Sequence, residues 1–365
     1  MDNIYIQQNV SLKQYTSMYV GGLARYFVEV VSVYEFLRAL QFAKERKLKL
    51  FVIGGGSNII VSDKGFDGLV IRMRILGKKL LEETEEYILY EVGSGEVWDD
   101  LVRFSVEYNL YGIENISHVP GTVGASVVQN VGCYGQEVSE SVVSVMAIDK
   151  DSLEQVTLQN SDLHFSYRKS RLNDPKEDKG KYIVTSVIFR LQKKGKLMMK
   201  YDDIKKYFAF HSDLEPKLKT MREAIIKIRD SKFPFPDSPK NGTVGSFWNA
   251  EPVDETTYEK IIRTLQEKGF TAKAEEMVNK KSVFAVAQGF KVPYGLFVEV
   301  LCLRGKSLGG AKILENHGGI INNFTGEATA QDVFSLSKEV IQRVYDEFGV
   351  RMKVEPELVG DFQVF

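Results

Sequence analysis

Only two cysteines occur in 365 residues, Cys133 and Cys302, and they stand far apart and outside any Cys-x-x-Cys pair. That excludes a disulfide framework and a cysteine-built zinc site, and it fits a reducing compartment. Histidine is almost as rare. His118, His164, His211 and His317 match neither His-Glu-x-x-His nor a ligand pair at i, i+4, so each reads as a surface or packing residue and no metal site is expected. Charge of one sign is lacking too: 48 Lys and Arg nearly cancel 49 Asp and Glu, for a formal net charge of -1. Without a strong positive field, nucleic acid is not an expected partner. No run of about 20 apolar residues is found, which argues against membrane insertion. Met1-Asp2-Asn3-Ile4 lacks the basic flank and apolar core of a signal peptide, so the expected location is the cytoplasm. With 9 prolines and no low-complexity tract, disordered and fibrous architectures are excluded as well.

What is present is a globular composition, 44% hydrophobic and 27% charged, in a chain long enough for two or three domains of about 100–200 residues. Ser32-Val33-Tyr34-Glu35 has capping-box spacing, and Phe36, Leu37, Leu40 and Ala43 follow at helical intervals. Apolar runs at 48–53, 69–71, 87–92, 142–148 and 182–191 read as strands, with a helix predicted over 98–108. After an irregular charged stretch at 173–181 comes a basic segment at 193–206, which places a boundary near 195 and divides the chain into 1–195 and 196–365. Beyond it, 217–229 is helical, and Val333, Leu336, Val340, Ile341, Val344 and Phe348 share one face before Gly349, a helix stop. Both halves are α+β.

Two glycine-rich segments stand out. Gly54-Gly55-Gly56-Ser57-Asn58 follows a strand, and consecutive glycines let backbone amides approach an anion without Cβ interference; an ordinary glycine turn gives the same string. Pro120-Gly121-Thr122-Val123-Gly124-Ala125 leads into Gln129-Asn130-Val131-Gly132-Cys133-Tyr134-Gly135, mixing glycine with amide and hydroxyl donors. Together they suggest a large polar cofactor held through backbone and amides, with plain structural turns as the alternative. Neither is the dinucleotide fingerprint, since the third glycine falls on Ile59 counting from Gly54 and on Trp98 counting from Gly93. Gly305-Lys306-Ser307 lacks the upstream glycine of a P-loop, Val300 standing there, and no Gly-x-Ser-x-Gly elbow is found. Taken alone, Ser246 in Gly-Ser-Phe-Trp is a turn residue, and Arg168 and Glu357 are solvated charges.

In order along the chain, these fragments resemble the UDP-N-acetylenolpyruvoylglucosamine reductase family. The resemblance runs through YVGGLARYF (19–27), VIGGGSNIIVSDKGFDGLVIRM (52–73), VGSGEVWDDLV (92–102) and GIENISHVPGTVGASVVQNVGCYGQEV (112–138). It continues through FSYRKSR (165–171), GSFW (245–248), RGKSLGGAKI (304–313) and FGVRMKVEPEL (348–358), so that it spans nearly the whole chain. It implies an FAD-binding domain of the vanillyl-alcohol-oxidase type in 1–195 and an α+β substrate-binding domain in 196–365. FAD would lie against Gly54, Gly55, Gly56, Ser57 and Asn58 and against Pro120, Gly121, Thr122, Gly124 and Ala125, with Gln129, Asn130 and Gly132 nearby. NADPH would be the reductant and UDP-N-acetylglucosamine enolpyruvate the substrate, in the synthesis of peptidoglycan precursors by a monomer.

The same resemblance implies the roles of single residues. Arg168 would grip the substrate carboxylate, Ser246 would donate the proton, and Glu357 would stand beside the developing enolate. Tyr167, Tyr201 and Lys232 would contact substrate, Tyr201 marking the branch of the family with an extra segment between Arg168 and Ser246. There are departures. Trp248 is followed by Asn249-Ala250-Glu251-Pro252 where the family has Lys-Asn-Pro, Tyr294-Gly295-Leu296 replaces Ala-Gly-Trp, and the Lys232–Ser246 interval is stretched. A different FAD oxidoreductase on the same scaffold would lack Ser246 and Glu357, and a silent paralogue would have lost one of the three candidate catalytic residues.

Overall fold

The computed structural model describes residues 4–279, 284–286 and 289–362, with the backbone alone for Phe284–Val286; Met1 to Asn3 of the N-terminal reading lie outside them. The chain packs as two compact units. The first comprises 1–10, 24–56 and 67–231, the second 11–23, 57–66 and 232–365. The boundary expected near 195 therefore falls within the first unit, which runs on to Ser231, and two N-terminal segments belong to the second.

In the first unit, helix Val33–Glu45 starts where Ser32 Oγ accepts from Glu35 N (3.2 Å), while the Glu35 carboxylate reaches back to Val31 N (2.8 Å), one residue before the expected partner. Its Phe36, Ala39, Leu40 and Ala43 are buried against strands Leu23–Val30 and Phe66–Met73. These strands lie in a sheet of order Gln7–Ser11, Leu23–Val30, Phe66–Met73, Lys49–Ile53, the last two parallel. A second, antiparallel sheet runs Gln155–Gln159, Val142–Asp149, Tyr182–Gln192, Tyr87–Gly93, Lys78–Glu83. Val187, Phe189 and Leu191, alternating along one strand, share a core with Trp98, Leu101 and Val102 of helix Trp98–Glu107 and with Val123 and Val127 of helix Val123–Val128. Burying each large apolar side chain contributes about 1.5–3 kcal/mol. Helices Asp202–Phe210 and Leu218–Lys232 close a smaller core of Ile204, Phe208, Met221, Ile225 and Ile228 around Tyr134.

The second unit is built on helix Ala330–Phe348. Thr329 and Asp332 form a reciprocal capping box at its start, and Gly349 ends it in the left-handed region, φ 73°. Val333, Leu336, Val340, Val344 and Phe348 are buried as their spacing predicts, with Ile341 at the margin. They pack under a sheet of order Thr243–Ser246, Ile320–Asn322, Ala311–Ile313, Ser307–Leu308. Strand Glu357–Val359 pairs in parallel with Ile59–Val61, and Trp248–Ala250 pairs with Met352–Val354. Both units mix helices with largely antiparallel sheet, the expected α+β class. Among the described residues no helix is long and apolar enough to cross a membrane.

Candidate active site

The two glycine loops meet face to face within the first unit. Strand Lys49–Ile53 delivers Gly54, where a Cβ would fall 2.5 Å from Thr122 Oγ1 and 3.2 Å from Ala125 Cβ; at Gly55 it would fall 2.7 Å from Gly121 Cα. Side chains are therefore barred at Gly54 and Gly55, where the first loop presents backbone alone to the second. A third segment supports them: Val123 N donates to Glu96 O (2.9 Å), Gly124 N to Ser94 O (2.9 Å) and Trp98 N to Gly121 O (3.1 Å). Among the described residues Ser94 Oγ is buried with no hydrogen-bond partner, hard against Gly124, whose Cβ would lie 2.7 Å from Ser94 Cβ. A bare-backbone cradle with an orphaned hydroxyl beside it fits the diphosphate of a dinucleotide.

Arg168 sits at the tip of a tight hairpin whose base is closed by Ser166 N to Lys169 O (2.9 Å) and Lys169 N to Ser166 O (3.0 Å). Its φ of 57° is in the left-handed region, which costs a non-glycine residue about 1–3 kcal/mol. The guanidinium donates to Gly132 O (2.9 Å) and lies over the exposed Tyr167 ring at 5.0 Å. Two polar anchors fix the hairpin: Asn130 Nδ2 donates to Ser166 O (2.9 Å) and Ser170 Oγ to Val128 O (2.6 Å). Gln129 is the C-cap of helix Val123–Val128, directly before this anchor.

Tyr201 precedes helix Asp202–Phe210, half exposed, with its ring edge-on to Tyr134 at 5.8 Å. Gly135 has φ 87°, which favours glycine, and a Cβ there would lie 3.3 Å from the Tyr201 ring. Buried Asn115 ties the two stretches together, donating to both Tyr134 O and Met198 O at 2.9 Å. Burial, aided by Cys133 and opposed by Arg229, pushes the Tyr134 phenol far up, which keeps it protonated. The loop leading into Pro120 is clamped by helix Leu218–Lys232: Arg222 grips Asp99 with two bonds (2.6 and 2.7 Å), Asp99 accepts from His118 N, and Arg229 Nε donates to His118 O (3.0 Å).

Ser246, Glu357 and Lys232 belong to the second unit, as do Ser57 and Asn58. Ser246 ends strand Thr243–Ser246 opposite Ile320, with its side chain exposed. The next residue links it onward, since Phe247 N donates to Gly319 O (2.9 Å) and Phe247 O accepts from Glu355 N (3.0 Å). Glu357 N donates to Asn58 O (2.9 Å), so a residue expected near the cofactor adjoins a residue expected to be catalytic. Residues at two of the family departures pack in or against the core of the second unit. Trp248 is fully buried, its indole N–H donating to Ser337 Oγ (2.9 Å), and a Cβ at Gly319 would fall 2.6 Å from the Tyr294 ring. Among the described residues no group of His, Cys, Asp and Glu could hold a metal ion.

Sequence reading assigned nothing to Ser94, Asn115, Ser170 or the Asp99–Arg222 pair. Only Ser94 carried a local signal, as a hydroxyl between Gly93 and Gly95 where a strand meets a loop. The others act through partners remote in sequence.

Residues 24–156 match the family described as FAD binding domain, and residues 237–359 match the C-terminal domain of UDP-N-acetylenolpyruvoylglucosamine reductase. The reductase of that name from Flavobacterium johnsoniae is 34% identical over 97% of this chain and 99% of its own. The one from Bdellovibrio bacteriovorus is 32% identical over 96% and 98%. The crystal structure of the Thermus caldophilus reductase shares the fold, with a TM-score of 0.64 at 22% identity over 98% of this chain and 100% of that one.

Proposed function

From the membership of this chain in the UDP-N-acetylenolpyruvoylglucosamine reductase family, we infer that it catalyses the NADPH-dependent reduction of UDP-N-acetylglucosamine enolpyruvate to UDP-N-acetylmuramate, a step of peptidoglycan precursor synthesis. The observation that carries this is kinship over both chains end to end, with Arg168, Ser246 and Glu357 all in place. When bound and reduced by NADPH, FAD would supply the hydride for addition to the vinyl carbon.

The cradle of Gly54, Gly55 and Gly56 with Pro120, Gly121, Thr122, Gly124 and Ala125 would hold the cofactor's diphosphate through backbone, with Ser57, Asn58, Gln129 and Gly132 around it. Arg168 holds the substrate carboxylate. Addition to the vinyl carbon would put further negative charge on that carboxylate in enolate form, which a permanently cationic planar group stabilises more than the starting carboxylate. Ser246 then delivers its hydroxyl proton to the adjacent carbon, completing addition of hydride and proton across the double bond. Glu357 serves the same step by sharing the enolate charge or returning a proton to Ser246. Tyr201 covers the substrate, Tyr167 contacts it, and Lys232 pairs with its diphosphate. We assign the reaction to the cytoplasm and to a single chain; Cys133 and Cys302, both free thiols, suit a reducing compartment.

Anaerobic stopped-flow absorbance near 450 nm tests this. Bleaching by NADPH, then recovery on adding the enolpyruvyl sugar, is the expected record; bleaching without recovery assigns the chain to other flavin chemistry.

A further inference from the structure

Asn130 has its side chain wholly engaged inside the first unit. It is completely buried, and its two amide protons go to Glu137 Oε2 (2.8 Å) and Ser166 O (2.9 Å), while Oδ1 accepts from Ser139 N (3.2 Å). A primary amide has two protons, so none remains for an acceptor on a bound cofactor. What the amide does hold is the hairpin that carries Arg168. Ser166 O takes one bond from Lys169 N, closing the hairpin, and the second from Asn130, so both lone pairs of that carbonyl are used.

The need for such a hold follows from the tip itself. Arg168 at φ 57° is in a region that an arginine leaves when its surroundings allow. Its head group is caught by Gly132 O, two residues beyond Asn130, and a Cβ at Gly132 would fall 3.2 Å from Arg168 Nη1 and 2.8 Å from Gln136 O. One short stretch, 130–132, thus grips Arg168 at both ends: Asn130 the base of its hairpin, Gly132 its guanidinium. Asn130 itself has φ 45°, which asparagine tolerates better than most residues, so the anchor is built from a residue suited to the backbone it must adopt.

We propose that Asn130 is a positioning residue for Arg168, acting on the substrate-reducing step rather than on cofactor binding; this rests on the proposed function. Its amide fixes the hairpin in register with Gly132, so that the guanidinium meets the substrate carboxylate without first having to be reoriented.

The test uses the full-length, FAD-loaded protein and its apoprotein. In Asn130→Ala, reduction of the flavin by NADPH should stay within about threefold of wild type, while reoxidation by UDP-N-acetylglucosamine enolpyruvate slows about 10- to 100-fold, the scale of a small misplacement of a catalytic group. The FAD dissociation constant, read by fluorescence titration of the apoprotein, should change less than about threefold, well short of the tenfold that loss of 1.4 kcal/mol would give. Weakened FAD binding with unaltered reoxidation of the loaded enzyme would overturn the proposal, as would equal slowing of both half-reactions.

Two further variants separate positioning from general stability. In Asn130→Asp/Glu137→Gln the carboxylate accepts from the new amide, restoring the link between these two positions, yet residue 130 no longer donates to Ser166 O, which keeps only its bond from Lys169 N. Melting temperature should recover relative to Asn130→Asp while reoxidation stays slow; recovery of both would show that the Ser166 link is irrelevant. In an Arg168→Lys background, Asn130→Ala should slow reoxidation less than about threefold further, since partners acting as a unit are non-additive. Full multiplicative slowing there would refute action through Arg168. Wild-type flavin that the enolpyruvyl sugar fails to reoxidise would sink the proposed function itself, whereas wild-type recovery matched by Asn130→Ala sinks only this inference.

Discussion

Gly55→Ala is the sharpest probe of the cradle. Gly55 is not among the positive-φ glycines, so alanine suits its backbone and the whole effect is steric. The added methyl would sit 2.7 Å from Gly121 Cα and 3.1 Å from Gly121 C, against ordinary contact at 3.4 Å or more, so the loops must part by at least 0.7 Å. The obstruction is backbone on the far side, with no flexible side chain to swing away. Overpacking of this kind costs about 1–3 kcal/mol. In the apoprotein the loops can separate to relieve it; cofactor binding needs them back in place, so the penalty reappears as lost affinity. At 1.4 kcal/mol per tenfold, that is about 5- to 150-fold in the FAD dissociation constant. Fluorescence titration of the apoprotein measures it. Gly295→Ala is the control, because none of the described residues lies within 4 Å of a Cβ there, φ is not positive, and the position is helical. It should leave FAD affinity unchanged and stabilise by up to about 1 kcal/mol. If Gly55→Ala binds FAD within twofold of wild type, the packing of the two glycine loops is not what forms the cofactor site.

Ser246→Ala should leave flavin reduction by NADPH intact and slow reoxidation by the enolpyruvyl sugar about 10²- to 10⁴-fold; unchanged single-turnover reoxidation removes the serine from its role. The Asp99 carboxyl feels burial, which pushes it up, but Arg222 and the His118 N–H outweigh that and hold it below its ordinary value of 3.8. A depressed carboxylate contributes stability that is full above 3.8 and lost as pH falls through the lower folded value. Urea unfolding should therefore show Asp99→Asn about 1.5–3 kcal/mol less stable than wild type at pH 7, with the gap closing in acid; a pH-independent gap would contradict the ion-pair account. Ser337→Ala strands the buried Trp248 indole N–H and should cost about 1–3 kcal/mol, part of which Trp248→Phe in the same chain should return.

Much of the fold was legible because it is local. The capped helix at Ser32, the helix stop at Gly349 and the alternating run around Val187 follow from periodicities within a dozen residues. Strand Lys78–Glu83 was not, because Lys-Lys-Leu-Leu-Glu-Glu has no alternation: all six residues are exposed on a sheet edge, guarded by lysines and a register shift near Leu81. Nor could spacing reveal that 11–23 and 57–66 pack with the C-terminal unit, since pairing such as Ile59 with Glu357 depends on contacts made only in the folded chain. At the site, the glycine strings were visible and their reason was not. Gly54 and Gly55 are required by Thr122 and Gly121, neighbours no local pattern exposes.

Left-handed backbone at residues other than glycine also marks this site. His118, Asn130, Tyr134 and Arg168 all have φ between 45° and 60°, a conformation that costs a bulky residue about 1–3 kcal/mol, and all four lie in the motif stretches around the cradle and the Arg168 hairpin. Each is restrained by polar bonds from elsewhere in the first unit: Asp99 and Arg229 on the His118 backbone, Asn115 on Tyr134 O, Gly132 on the Arg168 guanidinium, and the Asn130 amide on Glu137 and Ser166. Backbone that is uphill locally persists only if the surroundings over-determine it. The polar residues that matter here are therefore of two kinds, those that meet the ligand and those that keep the former in a conformation they would otherwise leave. Sequence motifs record both with equal weight, and only the direction of each hydrogen bond separates them.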